Sequence, residues 1–152
     1  MSYVRSVRLR VPSCVARPGP AIGQALGPLG INMAEFCKQF NARTELIYTK
    51  DNPLTVHLHA MNDRSFTFDV MSPPTSHLLK KAAGVTKGMD SPNIAEDVGG
   101  YCVTPEMIYE IAKMKMRDEK STHLNLEGVA KSVIGTARSM GIRVKEATEA
   151  EE

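Results

Sequence analysis

The sequence predicts an α+β protein in two parts: a small N-terminal α/β layer domain with a three-stranded sheet and two helices, then a C-terminal three-helix domain. Three observations predict it. The stretches with strand character, 7–11, 55–60 and 65–70, all fall in the first half of the chain. Ser72-Pro73-Pro74-Thr75 then breaks the chain, because two prolines cannot continue a ladder and hold the backbone extended. Beyond it, apolar residues recur only at helical spacing. The expected boundaries are 1–71 for the first domain, 72–75 for the Pro-rich linker, 76–145 for the second domain and 146–152 for an acidic tail.

Composition narrows the function classes. With 42% apolar and 24% charged residues, the 152-residue chain is globular and long enough for one ordinary domain or two small ones. Trp is absent and aromatics are few, so the core is expected to be aliphatic and Met-rich. No apolar run reaches bilayer length, which argues against a membrane partner. Charge is unevenly placed: no acid precedes Glu35, whereas Arg5, Arg8, Arg10 and Arg17 do. Without the four glutamates of the last seven residues, 19 bases face 13 acids, a modest excess for a nucleic-acid binder. Cys14, Cys37 and Cys102 cannot all pair and form no CxxC, so they read as reduced thiols. His57 and His59 share one strand face, but no Cys/His/Asp cluster completes a metal site; no metal and no cofactor is expected.

Each element has its own signal. Val7-Arg8-Leu9-Arg10-Val11 alternates apolar and basic residues, as a half-buried strand does. Arg17-Pro18-Gly19-Pro20 gives a stiff lead-in to a short helix carrying Ile22, Ala25 and Leu26, closed by Gly27-Pro28. This Gly-rich run lacks GxGxxG, GxxxxGK[ST] and any nearby Lys, so a nucleotide loop is disfavoured. Asn32 caps the next helix, with Glu35 approximating a capping box, Met33, Phe36, Cys37 and Phe40 as its apolar stripe, and Asn41 near its end. Two strands follow around a turn at Asn62-Asp63.

In the second half, Leu78, Leu79, Ala82 and Ala83 face a core, Lys80 and Lys81 face outward, and Gly84 ends that helix. Residues 85–101 read as a long loop in which Lys87 is the only base, of the kind that is functional or mobile. Thr104-Pro105-Glu106 starts a helix with cap, proline and acid in favourable order, and Ile108, Ile111 and Ala112 point inward. Lys113, Lys115 and Arg117 suit the negative end of its dipole, a structural use favoured over RNA contact.

The last helix, 126–141, splits into two faces. Leu126, Val129, Ala130, Val133, Ile134, Ala137 and Met140 form a buried stripe. Ser132, Gly135, Thr136 and Ser139 form a small face flanked by Lys131 and Arg138. A helix-interior Gly costs about 1 kcal/mol relative to Ala, so the smooth face needs a reason. Two readings compete. One is tight helix–helix packing. The other is close approach of a sugar-phosphate chain, with the hydroxyls of Thr136 and Ser139 as donors and Arg138 supplying charge.

Three blocks carry a family resemblance. Glu35-Phe36-Cys37-Lys38 with Phe40-Asn41, preceded by Ile22-Gly23, Ala25-Leu26-Gly27 and Gly30-Ile31-Asn32, resembles the N-terminal domain of bacterial-type large-subunit ribosomal protein L-eleven. Asp63 to Phe68 and Pro73 to Gly84 match further family patterns, and Gly135-Thr136-Ala137-Arg138-Ser139-Met140-Gly141 resembles its signature. The likeness spans about 7–144. It implies a non-enzymatic constituent of the large subunit at the stalk base, the GTPase-associated centre. There the third helix of the second domain lies in a widened minor groove of folded rRNA, and the first domain swings beside it. The implied partners are stalk-base rRNA, neighbouring stalk proteins and, transiently, translational GTPases, with no small-molecule substrate.

By this resemblance the expected rRNA-binding residues are Pro73, Pro74, Lys81, Gly84, Lys87, Gly88, Lys131, Gly135, Thr136, Arg138, Ser139, Met140 and Gly141. The expected factor-facing turn comprises Pro18, Pro20, Ala21, Gly23, Gln24, Leu26 and Gly27. Ala21 and Gln24 replace family prolines in a turn that forms a site for thiazole-type antibiotics, which puts sensitivity in doubt. Ile94, Glu96 and Tyr101 stand where the family loop carries lysines, and about two extra residues lie near 120–126. Tyr109 to Ala112, Asp118-Glu119, Ser132 to Gly135 and Gly141 to Val144 look closer to mitochondrial relatives, so a mitochondrion is the expected location, with bacterial cytoplasm as the alternative. No separate cleavable presequence is visible.

Two rival classes compete with this reading. An enzyme would need a convergent acid, base or nucleophile, and none stands at informative spacing. A protein-binding adaptor would use the small helix face to receive a partner helix, and salt dependence separates it from an RNA binder.

Overall fold

The computed structural model describes residues 3–92, 101–118 and 121–145. The expectations for Ile94, Glu96, the residues at 119–120 and the acidic tail lie outside the described residues. The chain divides into two compact units, Met1–Pro73 and Pro74–Glu152.

In the first unit, β1 (Tyr3–Pro12), β2 (Pro53–Met61) and β3 (Phe66–Met71) form an antiparallel sheet in that order. Leu9 lies opposite Val56 and Leu58 opposite Phe68, so the apolar residues of each strand fall on one face. Helices α1 (Pro20–Leu26) and α2 (Met33–Glu45) belong to the same core, joined through a 3-10 turn at Gly27–Leu29. Phe36, Phe40, Leu26, Leu54, Val56 and Leu58 are fully buried. The rings of Phe36 and Phe68 meet edge-on at 5.5 Å, a geometry favoured by the ring quadrupoles. The core is therefore more aromatic at its centre than the composition suggested.

Asn32 caps α2 by accepting from the Ala34 N–H at 3.1 Å. The capping box does not close; Glu35 accepts instead from Gln39 one turn on. Asn41 does not end the helix, which runs on to Glu45. Its amide instead donates to the Ala16 carbonyl at 3.0 Å and accepts from the Ala16 N–H at 2.9 Å. An amide that mimics a backbone partner secures an otherwise buried loop residue.

The second unit packs α3 (Thr75–Ala83), α4 (Pro105–Met116) and α5 (Leu126–Ser139) around Leu79, Ile108, Ile111, Val133, Ala137 and Ile142. Thr104 caps α4 through its hydroxyl, and Pro105 occupies the first turn, as its sequence implies. Lys115, only 17% exposed, lies 3.7 Å from Asp118, consistent with a structural role at that helix end. A short parallel pair, β4 (Cys102–Val103) with β5 (Arg143–Val144), joins the entrance of α4 to the exit of α5. Two-residue strands carry too little alternation to be read from sequence.

Candidate nucleic-acid interface

Helix α5 is the centre of the candidate site. Val129, Val133 and Ala137 are buried and fasten it to the bundle, while Leu126, Ala130 and Met140 are half-buried. Ile134 departs from the expected stripe: it is 42% exposed and stands on the outer face beside Gly135. At 3.6 residues per turn, Ile134 lies with Lys131 and Arg138, both exposed, rather than with Val133.

The small face is open. A Cβ built on Gly135 would meet nothing within 4 Å, and the same holds at Gly128. Among the described residues, packing within the chain gives no reason for these glycines. Ser132 and Ser139 are exposed, and Thr136 is half-buried. The hydroxyls do not offer free donors as their sequence suggested. Thr136 Oγ1 donates to the Ser132 carbonyl at 2.9 Å, and Ser139 Oγ donates to the Thr136 carbonyl at 2.8 Å. With their hydrogens engaged, the two oxygens keep acceptor lone pairs, which suit hydroxyl donors. Lys131 pairs with Glu127 at 2.6 Å, but both side chains are largely exposed and the pair is weak.

The C-terminal end of α5 is built by a glycine. Gly141 adopts φ +72°, its N–H donates to the Arg138 carbonyl, and the Ile142 N–H donates to the Ala137 carbonyl. That reversal stops the helix and turns Ile142 into the core. The start of the long loop lies on the same end: the Met89 N–H donates to the Met140 carbonyl at 3.1 Å. A Cβ on Gly141 would come within 2.8 Å of Met89, and one on Gly88 within 3.3 Å of the Met140 carbonyl. The fold thus brings Gly88, Met140 and Gly141 together, with Arg138 and Ser139 on the turn before. Gly141 is buried and Met140 half-buried, so both support this junction from within.

Other expected positions are more dispersed. Lys87 is exposed beside Asp90 at 2.7 Å. Gly84, with φ +69°, ends α3 by donating to the Lys81 carbonyl. Lys81 lines a groove with Glu106 and Glu110 on α4, a site distinct from the α5 face. Pro74 occupies the N-cap position of α3 and is half-buried, and Pro73 is buried. In the first unit Pro18, Pro20, Ala21, Gln24 and Gly27 are exposed. Gly23 lets α1 approach Met33 of α2, where a Cβ would lie 3.4 Å from its sulfur. Leu26 is a correction: fully buried, it anchors the turn and cannot face a factor.

Sequence reasoning missed Met89 and the exposure of Ile134. The glycine at 141, placed to end the helix, was the available signal for the first, and a careful helical-wheel phase for the second. Among the described residues, no group of three or more His, Cys, Asp or Glu is placed to hold a metal ion. His59 lies 3.8 Å from Asp69 across the sheet. No described helix is long and apolar enough to cross a membrane.

Two family models match the chain. Ribosomal protein L11, N-terminal domain, covers residues 7–66, and Ribosomal protein L11, RNA binding domain, covers 71–144. The chain belongs to the ribosomal protein L11 family. It is therefore a ribosomal protein of the large subunit that binds rRNA, in a structural, non-enzymatic family. The α5 face and the loop junction both lie inside the residues matched by the RNA-binding model.

Proposed function

We propose that this protein binds the folded stalk-base segment of large-subunit rRNA through the outer face of α5 and the adjoining loop start, and that its first unit supports translational GTPases there. Gly135, Thr136, Ser139 and Arg138 make the close contacts, with Lys131, Lys87 and Gly88 around them. Met140 and Gly141 hold the loop in position, while Lys81, Gly84, Pro73 and Pro74 form a second tier. Pro18, Pro20, Ala21, Gly23, Gln24 and Gly27 shape the factor-facing turn over the buried Leu26.

The observation that carries this reading is the open space above Gly135. A glycine there lowers helix stability with no internal packing in return, so its use is sought in an external surface. Hydroxyl oxygens left with acceptor capacity suit 2′-hydroxyl donors of an RNA minor groove, where shape and sugar contacts dominate recognition. A partner protein helix would also fit a smooth face, but it would leave Lys131 and Arg138 without phosphates.

The test is binding of the full chain to the stalk-base rRNA segment over a salt series, with an equal-length duplex as control. Tight binding to the folded segment alone, weakened by salt and lost in Thr136→Arg, supports the proposal. Equal binding to both RNAs, or to neither, would sink it. The mitochondrial ribosome is the proposed location, on the resemblance of Tyr109 to Ala112 and Gly141 to Val144 to that branch. Co-sedimentation of the tagged chain with mitochondrial large subunits checks it, and recovery only with cytoplasmic ribosomes overturns it.

A further inference from the structure

The second unit carries an open groove of about 540 Å³ between α3 and α4. Leu78 and Ala82 form one wall and Ile111 lies between the helices. Met107 and Met114, 42% and 38% exposed, stand two turns apart along α4 and leave an apolar strip in contact with water. Methionine is flexible and polarisable, and exposed strips of it suit a surface that adapts to an incoming side chain.

Glu106 and Glu110 line the same groove one turn apart, both exposed. Among the described residues neither carboxylate has an ion-pair partner. Two unpaired acids beside an apolar strip repel phosphate, so the groove is ill suited to RNA. They complement basic side chains that flank an apolar stripe. Lys81, the base that lines the groove, sits across it on α3 and opposes a second basic row on that side.

We infer that the α3–α4 groove receives an amphipathic helix of a protein partner, with aliphatic anchors set against Met107, Ile111 and Met114 and Lys or Arg facing Glu106 and Glu110. A helix presents anchors at the spacing of two turns, which matches the separation of the methionines. One-sided charge fixes its orientation and rejects acidic partners. No residue of α5 and none of the loop start at 87–89 lines the groove, so a partner bound here leaves the proposed close rRNA contacts open, and of the second tier it shares Lys81 alone.

The experiment titrates the full chain with a designed helical peptide bearing a leucine stripe flanked by lysines, and with its glutamate-flanked counterpart. NMR shifts report the site and anisotropy reports affinity. The expected result is shifts centred on Ala82, Met107, Ile111 and Met114. The lysine peptide should be preferred about tenfold, and Glu110→Lys should reverse the preference. Met114→Glu should abolish binding of the lysine peptide while rRNA binding persists, which shows that the variant is folded. Equal affinity for the two peptides, shifts elsewhere, or an unchanged preference in Glu110→Lys would overturn the inference. So would concentration-dependent self-association removed by Met114→Glu, which would make the occupant a second copy of the chain.

Discussion

At the scale of single residues, the side chains that matter most are those whose chemistry sits in an unusual place. Asn41 closes both hydrogen bonds of Ala16, and Ala16 is only 5% exposed. Asn41→Ala leaves a buried N–H and carbonyl without that partner, and urea unfolding should show a loss of about 1–3 kcal/mol. The three thiols should separate by reactivity. Burial raises the Cys37 pKa and keeps it protonated, whereas Cys102 is exposed. Alkylation followed by mass spectrometry should modify Cys102 first and Cys37 only in denaturant; equal rates would contradict the burial. Asp63 sits in the β2–β3 turn, where the Ser65 hydroxyl and N–H both donate to its carboxylate and lower its pKa. Because the folded value is depressed, the turn gains stability above the unfolded pKa and loses it as pH falls through the folded one. An NMR titration should find Asp63 below an ordinary aspartate, and Asp63→Asn should remove that part of the acid sensitivity.

At the scale of elements, α5 allows stability and function to be separated. Since nothing in the chain approaches Gly135, Gly135→Ala should stabilise the helix by about 1 kcal/mol in thermal or urea unfolding. The same methyl group stands where the rRNA backbone is proposed to approach, so affinity for the folded segment should fall. A variant that is both more stable and fully active would remove the proposed reason for this glycine. Gly141 behaves oppositely, because its left-handed backbone and the closeness of Met89 both exclude a side chain. The periodicity of α2, α4 and α5 made their helical state and most core residues legible in sequence. The extent of α2 beyond Asn41 was not, since an Asn that ends a helix and one that clamps a neighbouring loop look alike until Ala16 is in place. The phase of Ile134 was lost for a related reason: apolar identity was read as burial, and exposed apolar residues are common on protein surfaces.

At the scale of the whole molecule, charge decides how the protein should respond to salt. The four bases of the expected rRNA set, Lys81, Lys87, Lys131 and Arg138, limit the phosphate contacts available. The slope of log affinity against log salt should therefore be shallow, no steeper than about −4. A much steeper slope, measured with the full chain, would mean that further bases such as Arg8 and Arg10 also reach phosphate. Selectivity for the folded segment over a duplex should persist at high salt, because shape complementarity is not screened.

By itself the sequence determined the family, the two-part α+β organisation and the identity of the small helix face. Each rests on local order along the chain: alternation, helical periodicity, the Pro73-Pro74 break and the Gly135 to Gly141 run. Tertiary structure alone decided which of those residues face outward. It showed Gly135 beneath open space, Leu26 inside the core, the Asn41 amide engaged with Ala16, and Met89 seated against Gly141. The physical reason is that exposure, close approach and hydrogen-bond occupancy belong to pairs of residues. For most of these pairs the partner comes from another element, and its distance is set only when the elements pack.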